Sequence, residues 1–126
     1  MPSELRLMRI ADRIKQEISE MLVTGQINDP RLESLYITDV TVDREFSFAN
    51  IYISALGGEA VSQEILDGLE HASGYLRSTL SKRIQLRSFP KLRFHWDETP
   101  ERADRIERLI DSVSKGSKEA DGKEIN

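Results

Sequence analysis

The stretch LYITDVTVDREFSFANIYISAL breaks the helical pattern on either side of it, and that break limits the fold more than any other feature of the chain. In its first half Thr38, Val40 and Val42 alternate with Asp39, Thr41 and Asp43. In its second half Ala49, Ile51, Ile53 and Ala55 alternate with Phe48, Asn50, Tyr52 and Ser54. Side chains two apart share a face of a strand, so each run has one apolar and one more polar face. Asp43, Arg44 and Glu45 join the runs, a connection short enough to predict an antiparallel hairpin. Such a sheet needs cover on one face only.

The flanking segments supply that cover. Leu7, Ile10, Ala11, Ile14, Ile18, Met21 and Leu22 fall on one arc of a helix, with Ser3 to cap its start and Gly25 after its end. Arg6, Arg9 and Arg13 share one flank of that stripe, which Glu17 and Glu20 continue. A turn-rich linker with Asn28, Asp29 and Pro30 leads into the hairpin. Beyond it, Val61, Ile65, Leu69, Ala72, Leu76, Leu80 and Ile84 form a second helical stripe. Its middle is small: Ala72, Ser73 and Gly74. Glycine inside a helix costs about 1 kcal/mol against alanine, and Ser–Gly pairs accompany kinks. Two helices meeting there are expected; a straight helix with its glycine against a close neighbour is the alternative.

Pro90 ends any helix, and Leu92, Phe94 and Trp96 then alternate with Arg93, His95 and Asp97 as a third strand. After Pro100, Ile106, Leu109, Ile110 and Val113 repeat at helical spacing. The final SKGSKEADGKEIN has almost no apolar residue and is expected to be disordered. The expected organisation is an α+β domain over residues 1–97, an appended helix over 98–113 and a tail over 114–126.

The chain of 126 residues has no cysteine, so disulfides, thiolate metal sites and a cysteine nucleophile are excluded. Its first residues carry charges in every hydrophobic window, unlike a signal peptide or membrane span. A cytoplasmic protein without membrane contact is expected. Asp39, Asp43 and Glu45 read as solvated carboxylates. His71 and His95 lack a ligand spacing. Gly57 and Gly58 lack the Lys and Ser/Thr of a phosphate loop. No catalytic residue, metal site or cofactor is expected.

Charge is distributed unevenly. Residues 71–96 hold six basic and no acidic side chains, while the other hundred hold twelve basic and twenty-two acidic. The six are Arg77, Lys82, Arg83, Arg87, Lys91 and Arg93. Arginine and lysine among serine hydroxyls bind phosphate oxygens, giving position and affinity without reading sequence. Tyr75 is the main aromatic nearby, so folded RNA fits better than single-stranded readout. Arg6, Arg9 and Arg13 form a second candidate contact. An acidic protein partner would be attracted by the same charges, and solvated surface is the bland alternative.

Several motifs in order resemble one family. RIADRIKQEI, DPRL, ITDVTVDREFSFANIYIS and HASGYLRSTLSKRIQLRSFPKLRFHWDET are together similar to ribosome-binding factor A, the bacterial small-subunit assembly factor, over nearly the whole folded length. The resemblance implies a KH-like type II order, α-β-β-α-kink-α-β, with an Ala-x-Gly kink matched by Ala72, Ser73 and Gly74. The Gly-x-x-Gly loop of ordinary KH domains is missing, so their clamp on single strands is not carried over. The resemblance further implies a monomer that binds the free small (30S) ribosomal subunit and its rRNA, alongside other assembly factors. It implies help with late 16S rRNA maturation, notably at the 5′ end, a link to growth in the cold, and no nuclease activity.

Overall fold

Strands β1 (Leu35–Val42), β2 (Phe48–Ala55) and β3 (Lys91–Trp96) form one sheet in the order β1-β2-β3. The computed structural model describes the backbone of residues 3–125 and the side chains of residues 3–114. β1 is antiparallel to β2 and β3 is parallel to it. A parallel neighbour cannot be reached by a tight turn, and α2 (Ser62–Arg83) makes the crossover. α1 (Glu4–Val23) precedes the sheet and α3 (Thr99–Ile125) follows it. This is the expected KH-like α+β order with an appended helix.

The core lies on one face of the sheet. Ala49, Ile51 and Ile53 of β2 are wholly inaccessible, packed with Ile14, Ile18 and Met21 of α1 and Ile65, Leu69, Leu76 and Leu80 of α2. α1 ends as its sequence predicts: Ser3 accepts a hydrogen bond from the Arg6 amide at 3.1 Å. At the other end Gly25, at φ +75°, lets the Gln26 amide donate back to the Met21 carbonyl at 3.1 Å.

Two local features depart from the sequence reading. Strict alternation in β1 fails at Thr38, because pairing passes from Ile37–Ile53 to Asp39–Tyr52 and leaves Thr38 as a bulge. The extra residue allows Leu35 and Ile37 before it, and Val40 after it, to be buried on the same side. Thr38 turns its hydroxyl to Asp97 (2.5 Å) and the Tyr52 carbonyl (3.2 Å) instead of facing the core. Thr38, with Thr99, holds the Asp97 carboxyl below its ordinary value of 3.8.

The second departure is α2, a single helix of 22 residues in which Ala72, Ser73 and Gly74 make no break. Leu69 and Leu76, either side of them, are both buried, so one apolar stripe holds the helix through the weak point. A Cβ on Gly74 would meet nothing within 4 Å, whereas one on Gly68 would lie 3.0 Å from Leu32. The close approach that needs a glycine is therefore at Gly68, where α2 crosses the 3₁₀ turn Pro30–Leu32.

α3 continues past residue 113, where the sequence reading ended the helix and began a tail. No proline interrupts residues 114–125, and the two residues that disfavour helix most strongly there are Gly116 and Gly122. The side chains of that tail from residue 115 on, and Asn126 entirely, lie outside the described residues. Ile106, Leu109, Ile110 and Val113 are exposed, so their stripe covers none of the core.

Because Gly74 sits in regular helix with free space around it, Gly74→Ala should raise stability by about 0.5–1 kcal/mol. Urea unfolding of the two proteins measures the difference; a loss of stability would mean that the backbone there is not regular helix.

Candidate nucleic-acid interface

At about 100° per residue, Arg6, Arg9 and Arg13 must share one flank of α1. The chain brings a second basic set to that flank. Ile84, Phe89 and Pro90 are buried and pin the segment after α2, so the intervening Gln85, Arg87 and Ser88 point outward. Two adjoining grooves result. One of about 490 Å³ is lined by Arg6, Arg9, Ile10, Arg13, Arg83, Ile84 and Gln85. The other, of about 370 Å³, is lined by Arg6, Glu45, Phe46, Leu86, Arg87 and Ser88. Arg6 belongs to both.

Glu17 organises the first groove. Its carboxylate takes Arg83 at 2.9 Å and Arg13 at 3.1 Å, and Arg83 also donates to Gln26 at 3.2 Å. Arg83, and then Arg13, hold the Glu17 carboxyl below its ordinary value of 4.5, against the opposing effect of burial. These two arginines are thus oriented and partly neutralised. Arg9, Lys82 and Arg87 make no side-chain hydrogen bond or ion pair among the described residues and are exposed. Arg6 lies 6.0 Å from the Phe46 ring centroid.

Phe46 has φ +55°, a left-handed conformation that costs a non-glycine residue about 1–2 kcal/mol. It sits at the tip of the β1–β2 hairpin. There its amide donates to the Asp43 carbonyl at 3.0 Å, and the Phe48 amide donates to the Asp43 side chain at 2.9 Å. The pose sets the ring at the rim of the second groove while leaving part of it packed on the core.

The nine basic residues singled out from sequence therefore do not form one face. Arg6, Arg9, Arg13, Arg83 and Arg87 converge on the grooves, and Lys82 stands on the exposed side of the last turn of α2. Arg77 is committed to structure: it donates to the carbonyls of Phe89 (2.7 Å) and Pro90 (3.2 Å), tying the segment before β3 to α2. A charge reversal at Arg77 would unseat that segment, so it is a poor probe of phosphate contact.

Lys91 and Arg93 lie elsewhere, on the outer face of the sheet. The Arg93 guanidinium carbon is 3.3 Å from the Phe48 ring centroid, a cation–π stack. Beside it, His95 stacks on Tyr52 with centroids 5.1 Å apart, and His95 Nε2 lies 2.9 Å from Asn50 Oδ1. Tyr75 is half-exposed on α2 and is not the main aromatic near the basic residues. Phe48 and Tyr52 hold that place. Their signal was present in the alternation of β2, but cross-strand partners depend on the parallel register of Phe48 with Lys91 and Tyr52 with His95.

Fold and grooves together define a small KH-like α+β domain with an arginine-lined surface between its first helix and the segment that follows its second. The sequence model of the family described as Ribosome-binding factor A matches residues 6–110. The chain belongs to the ribosome-binding factor A family. It is 44% identical over 114 residues to ribosome-binding factor A of Thiobacillus denitrificans, covering 90% of this chain and 91% of the relative. The crystal structure of ribosome-binding factor A from Thermus thermophilus is similar with a TM-score of 0.60 and 25% identity, over 69% of this chain and 91% of that one. A homology model of Thermus thermophilus ribosome-binding factor A, fitted into a cryo-electron microscopy map of its 30S complex, shares the fold, with a TM-score of 0.51 and 24% identity over 68% of this chain and 93% of that one.

A depressed carboxyl pKa in the folded state stabilises the fold above the unfolded value and loses that contribution as pH falls through the folded one. The Glu17 pairs should therefore act fully above about pH 4.5 and fade below it. Carbon-detected NMR titration should place the Glu17 midpoint below 4.5, and Arg83→Gln should move it upward.

Proposed function

We propose that this protein binds the free small (30S) ribosomal subunit through its rRNA, acting as an assembly factor and not as a catalyst. The observation that carries the reading is the convergence of Arg6, Arg9 and Arg13 of α1 with Arg83 and Arg87 on two grooves that share Arg6. Guanidinium groups lining a groove suit the phosphate oxygens of a folded RNA, fixing position and orientation without sequence readout. Membership of the ribosome-binding factor A family, and the 30S complex containing the Thermus thermophilus relative, support the small subunit as the source of that RNA.

The mechanism is conformational selection. A rigid basic surface prefers the rRNA arrangement whose phosphates match its arginines, and it shifts the population by its difference in affinity for the two arrangements. In this reading the protein works as a cytoplasmic monomer beside other assembly factors. It assists late 16S rRNA maturation, including the 5′ end, and supports growth at low temperature, where misfolded RNA escapes slowly. Lys91 and Arg93, with the Phe48 and Tyr52–His95 stacks, form a second contact on the outer sheet face.

Co-sedimentation with purified small subunits, large subunits and joined ribosomes tests the reading. Selective, salt-sensitive binding to small subunits is expected; binding that ignores salt or favours large subunits would overturn it. Arg9→Gln with Arg87→Gln removes two charges that make no side-chain hydrogen bond or ion pair among the described residues. The double variant should keep the fold, weaken subunit binding about 10- to 100-fold, and lower the salt slope by about 2. Glu17→Gln should act the opposite way on affinity by releasing Arg13 and Arg83.

A further inference from the structure

The opposite flank of α1 carries a different chemistry. Glu4, Met8 and Asp12 lie on the far side of the buried stripe from the arginines, at about 100° per residue. Between that flank and β1 runs a groove of about 510 Å³. Its floor is apolar, from Leu7, Met8 and Ala11 of the helix and Val40 and Val42 of the strand. Its rim is acidic, from Glu4, Asp12, Asp39 and Asp43. Arg44 is the one base among its lining residues, and it is already paired with Glu4 at 3.2 Å across exposed surface. Such a pair is worth little and opens readily.

The strand along this groove is the edge of the sheet. Side chains hold its backbone groups here: the Val40 amide donates to Asp39 Oδ1 at 2.9 Å, and the Thr38 carbonyl accepts from Lys15 Nζ at 3.4 Å. An edge strand with local caps, an apolar floor beside it and carboxylates around it has the parts for strand addition. We propose that this groove docks an extended basic segment of a partner protein as a fourth strand against β1.

The chemistry sets the motif. Residues 39–43 offer about 17 Å of edge at about 3.4 Å per residue, room for five residues of partner. Alternate partner side chains, apolar, meet Leu7, Met8 and Ala11. The intervening ones, Lys or Arg, point to the opposite sheet face and meet Asp39 and Asp43. A partner carbonyl takes the Val40 amide, and the freed Asp39 carboxylate takes a partner cation. A polyanion is repelled by the same rim, so this surface and the arginine grooves on the other flank of α1 sort partners by charge.

The test is amide NMR on the full chain, titrated with a nine-residue peptide alternating valine and lysine. The controls are the same peptide N-methylated on alternate amides and a short oligouridine. The valine–lysine peptide should saturate and shift residues 4–12 and 39–43, with affinity falling about 10-fold or more when its amides are methylated. Asp39→Asn keeps an oxygen for the Val40 amide while removing the charge, and should weaken binding about 3-fold. Met8→Ala, at an exposed position, should also weaken it without unfolding the domain. Equal binding of the methylated peptide, shifts confined to other residues, no saturation at millimolar peptide, or the same shifts with oligouridine would each overturn the proposal.

Discussion

Three side chains with no accessible surface, Ala49, Ile51 and Ile53, lie on the middle strand of a sheet that has helices over one face only. Their burial requires α1 and α2 to meet above β2, since a strand apolar on one face gains stability only when that face leaves water. The parallel pairing of β2 with β3 then forces the chain to cross the sheet through α2 before it can return. Both requirements together bring residues 84–90 back beside α1. The arginine grooves follow from the packing of β2, although no residue of β2 lines them.

Much of this was legible in the sequence because periodicity reports burial directly. The α1 stripe, the hairpin, β3 and the caps at Ser3 and Gly25 all stand where their patterns place them. The bulge at Thr38 was not legible. Ile37 and Val40 are three apart, and a period-two reading puts them on opposite faces. The continuity of α2 was hidden by a local argument: Ser73 and Gly74 favour a kink in isolation, but Leu69 and Leu76 are packed in register across them. Local propensity lost to tertiary packing.

The site was legible in its composition more than in its arrangement. Counting charge singled out the basic residues as a pool, and the acid-free stretch contains Arg83 and Arg87, which the fold brings to the grooves. Counting could not show that the Arg77 guanidinium is used on the carbonyls of Phe89 and Pro90, or that Glu17 holds Arg13 and Arg83. Nor could it place Arg93 on Phe48, a contact between residues 45 positions apart. Hydrogen bonds between distant segments leave no periodic trace.

The sequence separation within the arginine grooves has a thermodynamic consequence. Arg6, Arg9 and Arg13 belong to the first helix, while Arg83 and Arg87 come some seventy residues later, so an unfolded chain does not hold them together. A ligand that recognises the grooves binds the folded state alone and stabilises it by mass action, by about 2.7 kcal/mol when present at a hundred times its dissociation constant. A polyanion bound at this surface would thereby act as a cofactor for the protein's own folding. Stability measured on the isolated chain is then a lower bound on its stability in the complex.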